Sequence, residues 1–217
     1  PYHYPHNHAQ VVHQQKTKLA SPKTTNHYEQ HISTTIRHIS ANNEVVMTVR
    51  LAISGSAGTG KSSLAMGLAN SLKLPYIEES FRRQRENGLV FQNLSHTEQS
   101  LLIIDLYTEA IEQAAKHPNG FIQDRCPIDF LAFWLHYGFW GDETSSAALF
   151  ERVRKDLSYY DRIIILPWGV FDLEDDGIRS TNCWLQLKFQ SLLEGLIRRM
   201  SPKELIYWMP EDLNTKH

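Results

Sequence analysis

The run from Met47 to Ser63 constrains this chain most: an alternating apolar stretch leads into a glycine loop and then into helix-forming residues. Val49, Leu51 and Ile53 recur at period 2, as in a strand that turns one face to a core. Gly55, Ser56, Ala57, Gly58, Thr59, Gly60, Lys61, Ser62 and Ser63 follow, with Gly55, Gly60, Lys61 and Ser62 at the Walker A spacing. Glycines let a backbone wrap closely around phosphate oxygens, and a following helix points free N–H groups and its positive dipole end at them. In such a loop Lys61 reaches the β- and γ-phosphates and Ser62 offers its hydroxyl to Mg²⁺. Leu64, Leu68 and Leu72 share one face of a helix expected over 61–72, which would dock it on a sheet.

A phosphate loop of this kind works with a carboxylate at the end of another buried strand. Two segments compete for that role. Leu101 to Asp105 is apolar and ends in an acid, but Ser95 and Glu98 form a capping box before it and its apolar positions continue at helical spacing. Residues 96–117 therefore read as one helix, and Asp105 as a decoy on it. The other segment follows the stop Pro118-Asn-Gly120 and reads Phe121-Ile-Gln-Asp124-Arg125, after which Pro127 can open a helix at its first position. Asp124 is the expected strand-end carboxylate, serving as metal-shell ligand or base. Arg125 beside it reads either as a structural ion-pair partner or as a planar grip on an anion.

Leu74 to Ile77 reads as a second strand, after which Glu79 and Arg82 would stand near a phosphate acceptor, since strand carboxyl ends face the ligand crevice of a parallel sheet. A carboxylate there can take a proton from a hydroxyl; the plain alternative is a charged first helical turn in solvent. Arg162 to Leu166 is a further strand, and the polar stretch 171–179 is long enough for a lid that brings Arg179 over the phosphates. A helix near 181–200 and a short strand at 205–208 complete the pattern.

Composition sorts the remaining possibilities. Residues 1–46 hold 4 basic and 2 acidic side chains and 7 of the 11 histidines, with no glycine and no sustained period, and read as a disordered polar leader. The functional polypeptide is expected to begin at or near Met47, giving a domain over 47–217. The leader's histidines lack a fixed spacing and read as solvated rather than metal-binding. Residues 47–217 hold 18 basic and 22 acidic side chains, and this acidic balance argues against a partner gripped by its phosphate backbone, such as a long nucleic acid. No stretch approaches the roughly 20 apolar residues of a membrane span, so a soluble cytoplasmic protein is expected. Cys126 and Cys183 are too far apart for a metal motif and read as reduced thiols.

Taken together, Gly-x-x-x-x-Gly-Lys-Ser at 55–62, Glu79-x-x-Arg82, Asp124-Arg125-Cys-Pro127-Ile-Asp129 and Asp176-Gly-Ile-Arg179 resemble the AAA-like P-loop domain of the NadR type, over about residues 47–209. That family is similar to ribosylnicotinamide kinases and, more distantly, to deoxynucleoside and thymidylate kinases. The resemblance implies an α/β fold: a three-layer α/β/α P-loop NTPase sandwich with a five-stranded parallel sheet and a lid. It implies ATP and Mg²⁺ bound by Lys61, Ser62 and Asp124, with Arg125 and Arg179 on the transferring phosphoryl group. The implied activity is γ-phosphoryl transfer to a small acceptor, foremost a nucleoside hydroxyl as in nicotinamide riboside. A deoxynucleoside monophosphate kinase, with Arg82, Arg83 and Arg85 as phosphate grips, and a nucleotide-binding regulatory ATPase are the alternatives. Cys126 stands where relatives carry a hydroxyl or Tyr, and is expected to be buried and structural.

Overall fold

In a computed structural model, which describes residues 48–170 and 181–211, five short strands make one parallel sheet. They are β1 (Arg50–Ser54), β2 (Tyr76–Ile77), β3 (Phe121–Asp124), β4 (Arg162–Ile165) and β5 (Ile206–Trp208), in the order β2-β3-β1-β4-β5. The expected leader over 1–46 and the lid with Arg179 lie outside the described residues.

Alternation along the strands sorts side chains between two cores. Leu51, Ile53, Ile122 and Ile164 join Leu64 and Leu68 of α1 (Lys61–Leu72) in one cluster. Ala52, Phe121, Ile163 and Ile165, one residue out of phase, join a larger cluster on the other face. There α3 (His96–Ala115), α4 (Pro127–His136), α5 (Glu143–Asp156) and α6 (Cys183–Met200) supply Tyr107, Trp134, Leu149 and Leu193, and α2 (Ser80–Glu86) adds Phe81. A right-handed crossover between parallel strands makes such a three-layer arrangement the natural outcome of this element order.

Several local signals act as the sequence suggests. Ser95 caps α3, its Oγ accepting from the Glu98 N–H at 3.3 Å while the Ser95 N–H donates to Glu98 Oε2 at 2.8 Å. Asp105 is exposed on α3 and is no part of the sheet. The helix ends at Ala115, two residues earlier than the period suggests, because Pro118 disfavours helical geometry at His117. β2 is short because Pro75 has no N–H for the ladder; only its carbonyl contributes, accepting from Ile122 N at 2.9 Å. Among the described residues no helix is long and apolar enough to cross a membrane, and both cysteines are free, with Cys126 fully buried.

Candidate functional site

The central strand aims the glycine loop. β1 ends at Ser54, and Gly55 then takes φ +143°, where an added Cβ would lie 3.1 Å from both the Leu166 carbonyl oxygen and Thr59 Oγ1. Only glycine fits that turn. Gly58 and Gly60, at φ +78° and +83°, make two further left-handed steps, and α1 starts at the residue after Gly60. The loop folds around its own lysine: the Ser56 carbonyl accepts from Lys61 Nζ at 2.7 Å and from Thr59 Oγ1 at 2.9 Å. Lys61 is 5% exposed. Burial, then the nearby Arg125 guanidinium, pulls its ammonium down to about 8, against the attraction of Asp124, Glu79 and Asp129.

Register brings the carboxylate to the loop. Ile53 pairs with Asp124, so the carboxyl ends of β1 and β3 lie side by side. Ser62 Oγ donates to Asp124 Oδ2 at 2.5 Å, whereas Asp124 Oδ1 is buried with no hydrogen-bond partner. Burial, reinforced by Glu79, pushes the Asp124 carboxyl above its ordinary value. An unsatisfied buried carboxylate oxygen next to a serine hydroxyl suits the hydrated shell of a divalent cation, which takes oxygen ligands and keeps several waters. Among the described residues no group of three or more His, Cys, Asp or Glu is placed to hold a metal ion.

Arg125 occupies the left-handed region at φ +84°, with its N–H tied to the Ile53 carbonyl at 2.9 Å. Its guanidinium lies between two acids, Nε donating to Glu79 Oε1 at 2.5 Å and Nη1 to Asp129 Oδ1 at 2.8 Å. Phe133 and Phe189 put ring faces 4.7 and 5.7 Å from its Cζ. Burial opposes the charge, but Glu79, Asp129 and Asp124 outweigh it and hold Arg125 above its ordinary value. Asp129 is completely buried, and its Oδ2 accepts from Ser54 Oγ at 2.6 Å and from the Cys126 N–H at 2.9 Å. The sequence reading gave Asp129 and Ser54 no role. A carboxylate three residues after Cys126 and two after Pro127 was a helix-start signal; its link to Ser54 was not legible. Cys126 is buried and burial pushes its thiol up, in keeping with a structural residue.

These groups border one cleft of about 630 Å³. The loop, with Lys61 and Ser62, lines it together with Glu79, Arg82 and Arg125. Phe81, Phe133, Tyr137 and Phe189 add an aromatic wall, with Phe133 and Phe189 against the Arg125 guanidinium, which sequence inspection did not single out because its members come from α2, α4 and the turn after it, and α6. Arg82 also pairs with Glu86 at 2.8 Å on the surface of α2.

The model of an AAA domain matches residues 50–209, nearly the whole described body. The chain belongs to this AAA-domain family. No curated protein matches the chain in sequence. Among solved structures, the NadR protein in complex with NR is similar to this AAA domain with a TM-score of 0.58 at 18% identity, over 78% of this chain and 46% of that one. The AAA domain therefore spans less than half of NadR's length, and the likeness is one of fold. Family and fold make this a nucleotide-binding P-loop domain.

Proposed function

We propose that this AAA domain is an ATP- and Mg²⁺-dependent kinase that moves a γ-phosphoryl group to the hydroxyl of a small nucleoside. The observation that carries the reading is one cleft lined together by the phosphate loop, the Glu79–Arg125 pair and an aromatic wall. Lys61 and the loop N–H groups would hold the phosphates, and Ser62 with Asp124 would supply oxygen ligands to the metal. Bound Mg²⁺ neutralises phosphate charge and favours the in-line geometry of transfer. Glu79 receives the proton of the acceptor hydroxyl, and Arg125 Nε, donating to Glu79 Oε1, holds that carboxylate in place. The aromatic side chains of the cleft give a planar base a surface to stack on. Arg179 would close the phosphoryl end from the lid.

A second reading, a monophosphate acceptor, draws on Arg82 and Arg85, which also line the cleft. The two are separated by incubating the full chain with ATP, Mg²⁺ and a set of nucleosides, headed by nicotinamide riboside, or of nucleoside monophosphates, and following ADP release. Turnover stimulated by nucleosides is expected. Glu79→Gln should then lower kcat by about 10²-fold or more, the usual worth of a positioned base. Undiminished turnover in that variant would remove Glu79 as the base, and no stimulation by any acceptor would leave a regulatory nucleotide-binding protein.

A further inference from the structure

The glycine loop is held from a distance of 134 residues. Ser56 is completely buried, and both of its backbone polar groups are bonded: the N–H donates to Gln190 Oε1 at 2.8 Å, while the carbonyl accepts from Lys61 Nζ and Thr59 Oγ1. Gln190 lies on α6 and is 2% exposed. Its Nε2 donates to the Leu166 carbonyl at 3.2 Å and to Glu194 Oε1 at 2.9 Å. With two acceptor oxygens facing its nitrogen and one N–H facing its oxygen, the amide is satisfied in a single orientation. That Leu166 carbonyl is also the atom that excludes a side chain at Gly55. One buried amide thus joins the start of the loop, the end of β4 and α6. A tie between helix and sheet would need only the bond to Leu166. The second bond falls on the loop residue whose carbonyl holds the phosphate-site lysine.

We propose that Gln190 is a positioning residue of the phosphate site: by holding the backbone of Ser56 at its N–H it places that residue's carbonyl, which holds Lys61, so that α6 sets the loop for nucleotide. The inference rests on the nucleotide-binding reading of the loop and is independent of the acceptor's identity. Because Leu185, Gln186 and Phe189 of the same helix line the cleft, α6 both borders the site and holds its loop.

Two variants of the full chain separate positioning from support. Gln190→Met keeps the volume and removes every hydrogen bond. The double variant Gln190→Glu with Glu194→Gln keeps an acceptor for the Ser56 N–H and restores a donor at position 194. Calorimetry with MgADP should show an affinity loss of about tenfold for the Met variant and recovery to within about twofold for the double variant, whatever their melting temperatures. Labelling of Lys61 by an amine-reactive reagent without nucleotide, read by mass spectrometry, should be severalfold faster in the Met variant alone. Affinity that follows melting temperature across the variants, or unchanged Lys61 labelling in the Met variant, would overturn the proposal. Failure of the parent protein to bind MgADP would instead sink the nucleotide reading, and the labelling result would still decide the role of Gln190.

Discussion

Lys61 carries its charge inside the protein, and the consequences for stability and binding run in opposite directions. Its folded-state value of about 8 lies below the ordinary 10.5. Between those values the unfolded chain keeps a proton that the folded protein has released, so the folded state gains stability as pH rises through that window. Below it the cost of the buried ammonium is present in full, on the order of 3 kcal/mol. Lys61→Met should accordingly melt higher than the parent at neutral pH, as read by calorimetry. Phosphate attraction needs the ammonium, so MgADP affinity should decline as pH passes about 8; a flat profile would remove Lys61 from phosphate contact. Asp124 shows the same tension with the opposite charge. Its carboxyl lies above its ordinary value, chiefly from burial and then from Glu79, so stability is lost as pH rises through its folded-state value. At neutral pH Asp124→Asn should raise the melting temperature by a few degrees while abolishing the Mg²⁺ dependence of nucleotide binding. A lower melting temperature would mean that Lys61 and Arg125 more than offset the burial.

At the scale of elements, the start of α4 organises the centre of the site. Pro127 sits in the first turn, where no N–H is required of it, and Asp129 closes the turn by accepting from the Cys126 N–H. The same carboxylate holds Arg125 and Ser54. Asp129→Ala would leave a buried guanidinium short of one partner in a left-handed backbone, at a cost of about 3–5 kcal/mol in urea unfolding. A loss below about 1 kcal/mol would show that Glu79 alone suffices for Arg125. Much of this level was legible in the chain: apolar spacing marked α1, the capping box separated Asp105 from the strand ends, and Pro127 marked α4. Arg125 was left with two readings because its partners lie 46 residues upstream at Glu79 and one turn ahead at Asp129. The structure shows it paired with both while still lining the cleft. Gln190 gave no signal, since a glutamine in an amphipathic helix is ordinary until its neighbour across the fold is known.

For the whole molecule, the sheet order places β1 between β3 and β4, so the loop after β1 receives a carboxylate from one side and the α6 clamp from the other. Strand order was not legible in the chain; the resemblance of four motifs implied a five-stranded parallel sheet, and the parallel ladders agree with that much. Because the site joins residues from β1 to α6, occupying it should stabilise the fold as a unit. MgADP at 100 times its dissociation constant should raise unfolding free energy by about 2.7 kcal/mol, and Lys61→Met should erase the shift. Stabilisation that persists in that variant would place nucleotide elsewhere. The sheet's outer strands carry a separate consequence. β2 and β5 are two and three residues long. A row of unpaired peptide groups that short cannot template a strand from a second molecule, so crowding or partial heating offers this domain little opportunity for edge-to-edge polymerisation.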